Sequence, residues 1–364
     1  MKILVVPDSF KGSLTATEVA QTIRSAIAKK RPKALITTIP ASDGGEGFME
    51  VVKSFVEGEW VECIAQGPLG LPRKCKFIWS DPTKTAIIEM AEASGLTLLT
   101  SEQANPWHTS TFGTGSMMNT ALDLGAQKII LTLGGSATND GGSGALMALG
   151  ARILDSSGDT IALGSKGLKD AHHLNLDKLH FRLHSCKVIL ATDVNNSLLG
   201  KYGATYTYAP QKGASDEDLD IMENAMRNWA QVLEQSTGKK VSELEGTGAA
   251  GGLSFGLLAL ADASIMSGFE LFAKLTNLKE QIQEADIVIS GEGRLDLQSI
   301  QGKLVGQIAK LCTEANKPFY VIAGQVNDKD KILDESAIKG IQELTHEVDY
   351  RKNAKARLKD ATIN

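Results

Sequence analysis

The sequence predicts an α/β protein whose strands form mostly parallel sheets. Short, continuous runs rich in valine and isoleucine are typical of strands buried on both faces of a parallel sheet. Amphipathic segments separate these runs, and the alternation of strand and helix indicates βαβ units. The length of 364 residues suggests two domains. The predicted strands are residues 3–6, 35–39, 87–90, 129–133, 188–191, 287–289 and 319–323.

The predicted helices are supported by capping patterns and apolar spacing. Thr15 with Glu18, and Ser215 with Asp218, have the spacing of a capping box at a helix start. Apolar residues at helical spacing in 48–56 predict a third helix that begins near Gly45. The helix after Ser215 carries an apolar stripe that we interpret as core packing rather than a cofactor site: Leu219, Met222, Met226, Trp229 and Leu233.

Composition excludes several classes of function. The chain has 38 Lys and Arg against 43 Asp and Glu, a net charge of −5, so it has no general attraction for nucleic acid or anionic membranes. No apolar stretch approaches the roughly 20 residues of a membrane helix, and the N-terminus lacks the pattern of a signal peptide. We therefore expect a cytoplasmic protein. The sequence has four cysteines and no CxxC motif, and we expect these cysteines to be reduced thiols.

Polar, glycine-rich segments follow the predicted strands. Ligands of open α/β sheets bind beyond the carboxyl ends of the strands, so several such segments together indicate a binding site. The segments are residues 7–13, 42–47, 134–142, 192–195 and 290–296.

Two of the glycine-rich stretches could bind phosphate. Residues 134–142 precede the apolar segment 145–149, and residues 248–252 precede the segment 253–260. Glycines before a helix let backbone N–H groups approach an anion at the positive end of the helix dipole. The alternative, that the glycines only permit close packing of helix and strand, stays open for both.

Standard nucleotide motifs do not account for these stretches. No GxxxxGK[ST] motif occurs, and the GxGxxG match at residues 246–251 follows a polar segment instead of a buried strand. No GxSxG or HExxH motif occurs either.

Acidic and basic side chains at the strand ends suggest phosphoryl transfer. Carboxylates can hold Mg²⁺ and accept a hydroxyl proton, while cations and backbone N–H groups stabilise the transferring group. A single acid at a strand end more often caps a helix or a turn than binds a ligand, and we expect about half of these acids to be structural. The residues are Asp8, Asp43, Asp140, Asp193, Glu292 and Asp296, with Lys11 and Arg294 as cations.

In chain order, these segments resemble the type-1 glycerate kinase family of bacteria. The matching stretches include PDSFKGSLTA (7–16), ASDGGEGF (41–48), GGSATNDGGSGALMALG (134–150), ATDVNNSLLGKYGA (191–204), APQKGA (209–214) and ADIVISGEGRLDLQSIQGK (285–303). The resemblance implies phosphorylation of glycerate by ATP with Mg²⁺, usually to 2-phosphoglycerate. It also implies a discontinuous Rossmann-like domain (1–70 and 280–364), an inserted α/β domain (71–279), and an active site in the cleft.

The resemblance also implies roles for individual residues. We expect catalytic residues at Asp43, Asp193, Arg294, Asp296 and Lys11, of which Asp193 would bind the metal. Glycerate would contact Ser9, Lys11, Glu292 and Arg294. The nucleotide would contact Gly134, Gly135, Ser136, Asn139, Gly141, Gly142 and Lys212. The alternatives are a non-catalytic glycerate-binding regulatory module and an NAD-linked oxidoreductase that uses residues 246–251. The oligomeric state and the hydroxyl that is phosphorylated stay open.

Overall fold

The computed structural model describes residues 1–41, 45, 47–300, 303–344, 351 and 353–363. Within these residues, no helix combines the length and the apolar character needed to cross a membrane. The strands are β1 (Lys2–Val5), β2 (Leu35–Thr38), β3 (Glu59–Gln66), β4 (Pro72–Ser80), β5 (Thr85–Glu89), β6 (Lys128–Thr132), β7 (Arg152–Leu154), β8 (His173–Asn175), β9 (Lys187–Ala191), β10 (Asp262–Met266), β11 (Ile287–Leu295), β12 (Phe319–Val326) and β13 (Ile338–Glu343).

Helices separate most of these strands, as the sequence predicts. They are α1 (Ala16–Lys30), α2 (Phe48–Val52), α3 (Ala91–Ser94), α4 (Phe112–Asp123), α5 (Ser143–Ala148), α6 (Ser165–Leu168), α7 (Ala204–Tyr208), α8 (Asp216–Thr237), α9 (Ala249–Leu260), α10 (Gly268–Leu275), α11 (Leu278–Glu284), α12 (Leu297–Ile300), α13 (Leu304–Glu314), α14 (Lys329–Glu335) and α15 (Ala354–Ile363).

The chain forms two compact units. Unit 1 comprises Met1–Asp43 and Phe269–Asn364, and unit 2 comprises Gly44–Gly268. The first unit is therefore discontinuous and the second is inserted into it. The observed boundaries differ from the predicted ones at 70/71 and 279/280. The first difference arises because β3 pairs along its whole length with β4, which makes residues 59–66 part of the inserted unit.

Unit 1 contains a five-stranded sheet in the order β13-β12-β11-β1-β2, and every neighbouring pair is parallel. When the strands are numbered within the unit alone, the order is 2-1-3-4-5, as in doubly wound flavodoxin-like sheets. In this order the chain changes direction between β1 and β11. Loops after these two strands therefore flank the switch point, where such sheets bind ligands.

One face of the unit 1 sheet is covered by α1 and α15. The apolar side chains of these helices pack on alternate residues of the strands, including Ile3, Val5 and Ile322. Helix α1 begins with the predicted capping box, in which Thr15 accepts from the Glu18 N–H and the Glu18 carboxylate accepts from the Thr15 N–H.

Unit 2 contains a six-stranded sheet in the order β10-β9-β6-β5-β4-β3. The strands from β10 to β5 are parallel, whereas β4 and β3 form an antiparallel hairpin at one edge. Helix α8 begins with the predicted capping box at Ser215, and the predicted stripe is buried at Met222, Met226, Trp229 and Leu233. The prediction that this stripe packs in the core is confirmed.

Candidate functional site

At the switch point of unit 1, the segment after β1 runs beside β11. The Val6 N–H donates to the Ile289 carbonyl (2.8 Å), and the Asp8 N–H donates to the Gly291 carbonyl (2.8 Å). The Ser290 hydroxyl donates to the Val6 carbonyl (2.8 Å). These bonds fix the backbone of Asp8 beside β11. Asp8 thus lies near two other predicted acids, Glu292 within β11 and Asp296 directly after it.

Among these acids, Glu292 has a pKa that is shifted towards neutrality. Its side chain is half-buried, and among the described residues no hydrogen-bond partner reaches its buried Oε2 atom. Burial raises the pKa of Glu292 to about 7; Asp8 and Asp296 act in the same direction, while Ser299 and Lys303 oppose it. A carboxyl group with a pKa near neutrality can accept or release a proton at the pH of a cell.

Asp296 caps the start of α12. Its Oδ1 atom accepts from the Ser299 N–H (2.9 Å) and the Ser299 hydroxyl (3.1 Å), and the Lys303 ammonium lies 3.9 Å away. Burial acts to raise the pKa of Asp296, but the bonds from Ser299 and the charges of Lys303 and Arg294 lower it overall. Asp296 is thus ionised, and its hydrogen bonds to Ser299 stabilise the start of α12.

The other predicted glycerate contacts lie at the same end of the unit 1 sheet. Arg294 and Lys11 are exposed, and Ser9 is half-buried with its N–H donating to the Asp8 carboxylate (2.6 Å). Arg294 follows Glu292 by two residues in β11, so the two side chains occupy the same face of the strand. The predicted residue Asp43 lies outside the described residues.

In unit 2, the segment Gly134 to Ser136 follows β6, near the middle of the sheet. Gly135 is exposed and has a φ of +72°, whereas Gly134 and Ser136 are half-buried. The segment is tied to the residues after α3, because the Leu96 N–H donates to the Gly135 carbonyl (2.8 Å). These three residues form a loop at the carboxyl end of a parallel strand.

Lys212 lies beneath this loop and is 2% exposed. Its ammonium donates to the Ser136 hydroxyl (2.8 Å) and to the Thr138 carbonyl (2.7 Å). Burial lowers the pKa of Lys212 to about 7, although the charge of Asp140 acts in the opposite direction. An anion beside Ser136 would favour the charged form of this lysine.

The start of helix α5 already holds a carboxylate of the chain itself. Asp140 is fully buried and accepts from the N–H groups of Thr111 (2.8 Å), Gly142 (3.1 Å) and Gly144 (3.3 Å). Burial raises the pKa of Asp140 despite these donors. The carboxylate of Asp140 thus takes the place at this helix start where the sequence suggested that phosphate could bind.

The remaining glycines of the 134–142 segment pack inside unit 2. A Cβ atom on Gly141 would lie 2.5 Å from Trp229, and one on Gly142 would lie 3.2 Å from the backbone of Leu253. Asn139 is also buried and donates to the Thr205 hydroxyl (3.2 Å). For these three residues the structure shows packing and internal hydrogen bonding.

The glycines of residues 246–252 pack as well. The described residues 239–248 contain no strand, so the GxGxxG match lacks the strand that a dinucleotide site requires. A Cβ atom on Gly251 would lie 2.0 Å from the Thr138 carbonyl oxygen, and the Gly141 N–H donates to the Gly251 carbonyl (2.9 Å). This stretch therefore supports the loop before α5.

Asp193 follows β9, the strand that pairs with β6. Its side chain is exposed, and its Oδ1 atom accepts from the Ser267 hydroxyl (2.6 Å) and from the Gly268 N–H (3.1 Å). It therefore connects the end of β9 with the start of α10. Because β9 and β6 are neighbours, Asp193 and the Gly134–Ser136 loop share one edge of the sheet.

One acid at this edge was missed by the sequence reasoning. Glu89 ends β5, is 6% exposed, and accepts from the N–H groups of Gly47 (2.7 Å) and Met49 (3.2 Å) at the start of α2. Glu89 lies inside the predicted strand 87–90, so it did not have the strand-end position that identified Asp193.

Comparison with known proteins identifies the family. The protein-family model described as "Glycerate kinase family" matches residues 3–363, a range that includes both units. The chain belongs to the glycerate kinase family. It is accordingly an enzyme, a kinase, which removes the non-catalytic module and the oxidoreductase as alternatives.

Relatives with assigned names match over most of the chain. A glycerate kinase of Haemophilus influenzae is 39% identical over 348 residues, which cover 96% of this chain and 92% of the relative. The glycerate 2-kinase of Escherichia coli (strain K12) is 38% identical over 341 residues, which cover 94% and 90%. The crystal structure of a protein assigned as glycerate kinase 2 from Salmonella typhimurium LT2 has a TM-score of 0.85 and 36% identity, and covers 100% of this chain and 96% of that one. The predicted fold class agrees with this structure.

Proposed function

We propose that the protein transfers the terminal phosphoryl group of ATP to the 2-hydroxyl of glycerate, with Mg²⁺, in the cytoplasm where ATP is supplied. The observation that carries this proposal is the family match from residue 3 to residue 363, which includes both sheets. The E. coli relative, named glycerate 2-kinase, supports 2-phosphoglycerate as the product.

We assign nucleotide binding to unit 2. The exposed Gly135 backbone and the Ser136 hydroxyl offer donors to phosphate oxygens, and the Lys212 ammonium below them supplies positive charge. An ammonium has three donors, of which two are used within the described part of unit 2. Gly134 completes this loop. The burial of Asn139, Gly141 and Gly142 leads us to leave them out of the direct contacts.

The donor chemistry of unit 2 fits Mg²⁺ that arrives with ATP. No group of three acidic, histidine or cysteine side chains able to hold a metal occurs among the described residues. Mg²⁺ in kinases usually takes one or two carboxylates and completes its coordination with phosphates and water. The exposed Asp193 carboxylate, on the same edge as the Gly134–Ser136 loop, would be that ligand. The metal would neutralise charge on the phosphates.

We assign glycerate binding to unit 1. Glycerate is an anion, and the planar guanidinium of Arg294 matches a carboxylate with two parallel hydrogen bonds. Lys11 and Ser9, at the same end of the sheet, would contact the acid or its hydroxyl groups. We assign to Asp43, which the resemblance implies to be catalytic, the orientation of the attacking hydroxyl.

Glu292 is suited to accept the proton of that hydroxyl. Its Oε2 atom has no partner among the described residues, whereas Asp296 is engaged by Ser299 and Lys303. The pKa of about 7 matches the requirement for a general base at neutral pH. We therefore assign proton transfer to Glu292, and to Asp296 the positioning of the loop that carries α12.

The experiment that tests the function measures ADP release by the purified protein with ATP, Mg²⁺ and glycerate, and identifies the product by NMR. We expect ADP and 2-phosphoglycerate in equal amounts, and no release without glycerate or with excess EDTA. Lactate, which has only the 2-hydroxyl, and 3-hydroxypropionate, which has only the 3-hydroxyl, are the matched control acids. ADP release that is independent of glycerate would refute the proposal, and 3-phosphoglycerate would refute the assigned hydroxyl.

A further inference from the structure

We propose that Cys63 and Cys75 are a modification site, at which oxidation forms a reversible disulfide across the β3–β4 hairpin. The register of this antiparallel pair places Cys63 directly opposite Cys75. Residues directly opposite each other in a sheet point their side chains to the same face. Both cysteines are free thiols in the structure.

The type of backbone pair sets the distance between them. The Gly67 N–H donates to the Leu71 carbonyl (2.7 Å) at the turn of the hairpin, so residues 67 and 71 form a hydrogen-bonded pair. Such pairs alternate along an antiparallel ladder, which makes Cys63 and Cys75 a hydrogen-bonded pair as well. Their Cα atoms are then about 5.5 Å apart, within the range of roughly 4.4–6.8 Å found in disulfides.

The bond would be strained and therefore easily reduced. Cβ atoms of opposite residues lie about 4.5–5.5 Å apart, whereas a disulfide needs roughly 3.5–4.5 Å. The two strands must approach by about 1 Å to close it. Strained disulfides have higher reduction potentials than structural ones and are the reversible class.

The exposure of the two thiols sets the order of the reaction. Cys63 is half-buried and Cys75 is 3% exposed, so an external oxidant meets Cys63 first. With a peroxide, the Cys63 thiolate attacks oxygen and becomes a sulfenic acid, and the first water or alcohol leaves. The Cys75 sulfur then attacks the Cys63 sulfur and water leaves. The two thiols lose two electrons and two protons, and the peroxide gains them. Burial raises the pKa of Cys63 to about 11, so the first step is slow at neutral pH.

The other cysteines are matched controls. Cys186 is buried just before β9, which β6 and β5 separate from β4. Cys312 lies on α13 in unit 1 and is also buried. Neither is opposite another cysteine in a described strand pair.

Disulfide formation would act on the Gly134–Ser136 loop. The Cys75 thiol donates to the Glu92 carbonyl in α3 (3.3 Å), and the disulfide removes this donor. The end of α3 and the residues after it hold the loop by two hydrogen bonds. The Leu96 N–H donates to the Gly135 carbonyl (2.8 Å), and the Ala137 N–H donates to the Ser94 carbonyl (2.9 Å). If the proposed function is right, oxidation should weaken nucleotide binding, and we expect an increase of severalfold in the ATP Kd.

The test is peptide mapping of the folded protein after treatment with hydrogen peroxide, with free thiols blocked by alkylation. We expect one cross-linked peptide joining Cys63 and Cys75, a mass loss of two hydrogens, and full reversal by dithiothreitol. Cys63→Ser and Cys75→Ser should abolish the cross-link, and Cys186→Ser and Cys312→Ser should leave it. Overoxidation of Cys63 without a cross-link, or a cross-link only in urea, would overturn the proposal. A cross-link that leaves the ATP Kd unchanged would overturn only its coupling to the loop, and the glycerate-dependent release of ADP by the reduced protein tests the function separately.

Discussion

At the scale of single residues, the environment of Glu292 links folding to chemistry. The end of β11 buries this carboxyl group beside Asp8 and Asp296, which raises its pKa to about 7. Between pH 4.5, its ordinary pKa, and about 7, the folded chain retains a proton that the unfolded chain releases. The contribution of Glu292 to stability is therefore present below pH 4.5 and is lost as the pH rises through 7.

The same pKa predicts the pH dependence of the enzyme. If Glu292 accepts the hydroxyl proton, kcat/KM for glycerate should rise about tenfold per pH unit below 7 and level off above it, provided that ATP is saturating and keeps Lys212 charged. Glu292→Gln should lower kcat by about 10²-fold or more, remove this pH dependence, and flatten the fall in unfolding free energy between pH 4.5 and 7.

The control is Glu280→Gln, which changes an exposed acid of the same unit and should match the wild type. A Glu292→Gln variant with the wild-type pH profile would assign the proton transfer to another group.

At the scale of elements, Asp193 joins β9 to α10, and two roles for it can be separated. Asparagine keeps the Oδ1 acceptor for Ser267 and Gly268 but removes the charge that Mg²⁺ would need. Asp193→Asn should therefore leave the unfolding midpoint in urea almost unchanged while lowering kcat on the order of 10²-fold and raising the Mg²⁺ concentration needed for half-maximal rate. Wild-type kcat at saturating substrates would show that Asp193 only caps α10.

The elements that the sequence predicted share one physical property: their signals are local. Each predicted run of valine and isoleucine is a strand, although the run at residues 35–39 forms the edge strand β2, which is only partly buried. The capping boxes at Thr15 and Ser215 involve residues three apart, and both form as predicted.

The features that the sequence did not predict depend on distant partners. The helix predicted for residues 48–56 ends at Val52, and its start is capped by Glu89, about forty residues away. The hairpin of β3 and β4 lies at a sheet edge and contains charged residues such as Lys74 and Lys76, so it gave no continuous apolar run. Asp140 occupies the start of α5 together with Thr111, a pairing that no spacing in the sequence reveals.

At the scale of the whole molecule, a sheet of order 2-1-3-4-5 is interrupted by an inserted unit with its own mixed sheet. The sequence predicted the discontinuity through a resemblance. It could not give the boundaries, since only the pairing of β3 with β4 shows where residues 59–66 belong. We propose that the two units divide the substrates, with ATP bound by unit 2 and glycerate by unit 1.

The most direct test is calorimetric titration of two variants with the Mg²⁺ complex of a non-hydrolysable ATP analogue and, separately, with glycerate. Lys212→Met should raise the Kd of the analogue at least about tenfold and leave glycerate binding unchanged. Arg294→Lys should raise the Kd of glycerate about tenfold, roughly 1.4 kcal/mol, and leave the analogue unchanged. The exposed controls Lys169→Met and Arg24→Lys should match the wild type for both ligands. Equal losses for both ligands in either variant, or the reverse pattern, would contradict the division of substrates between the units.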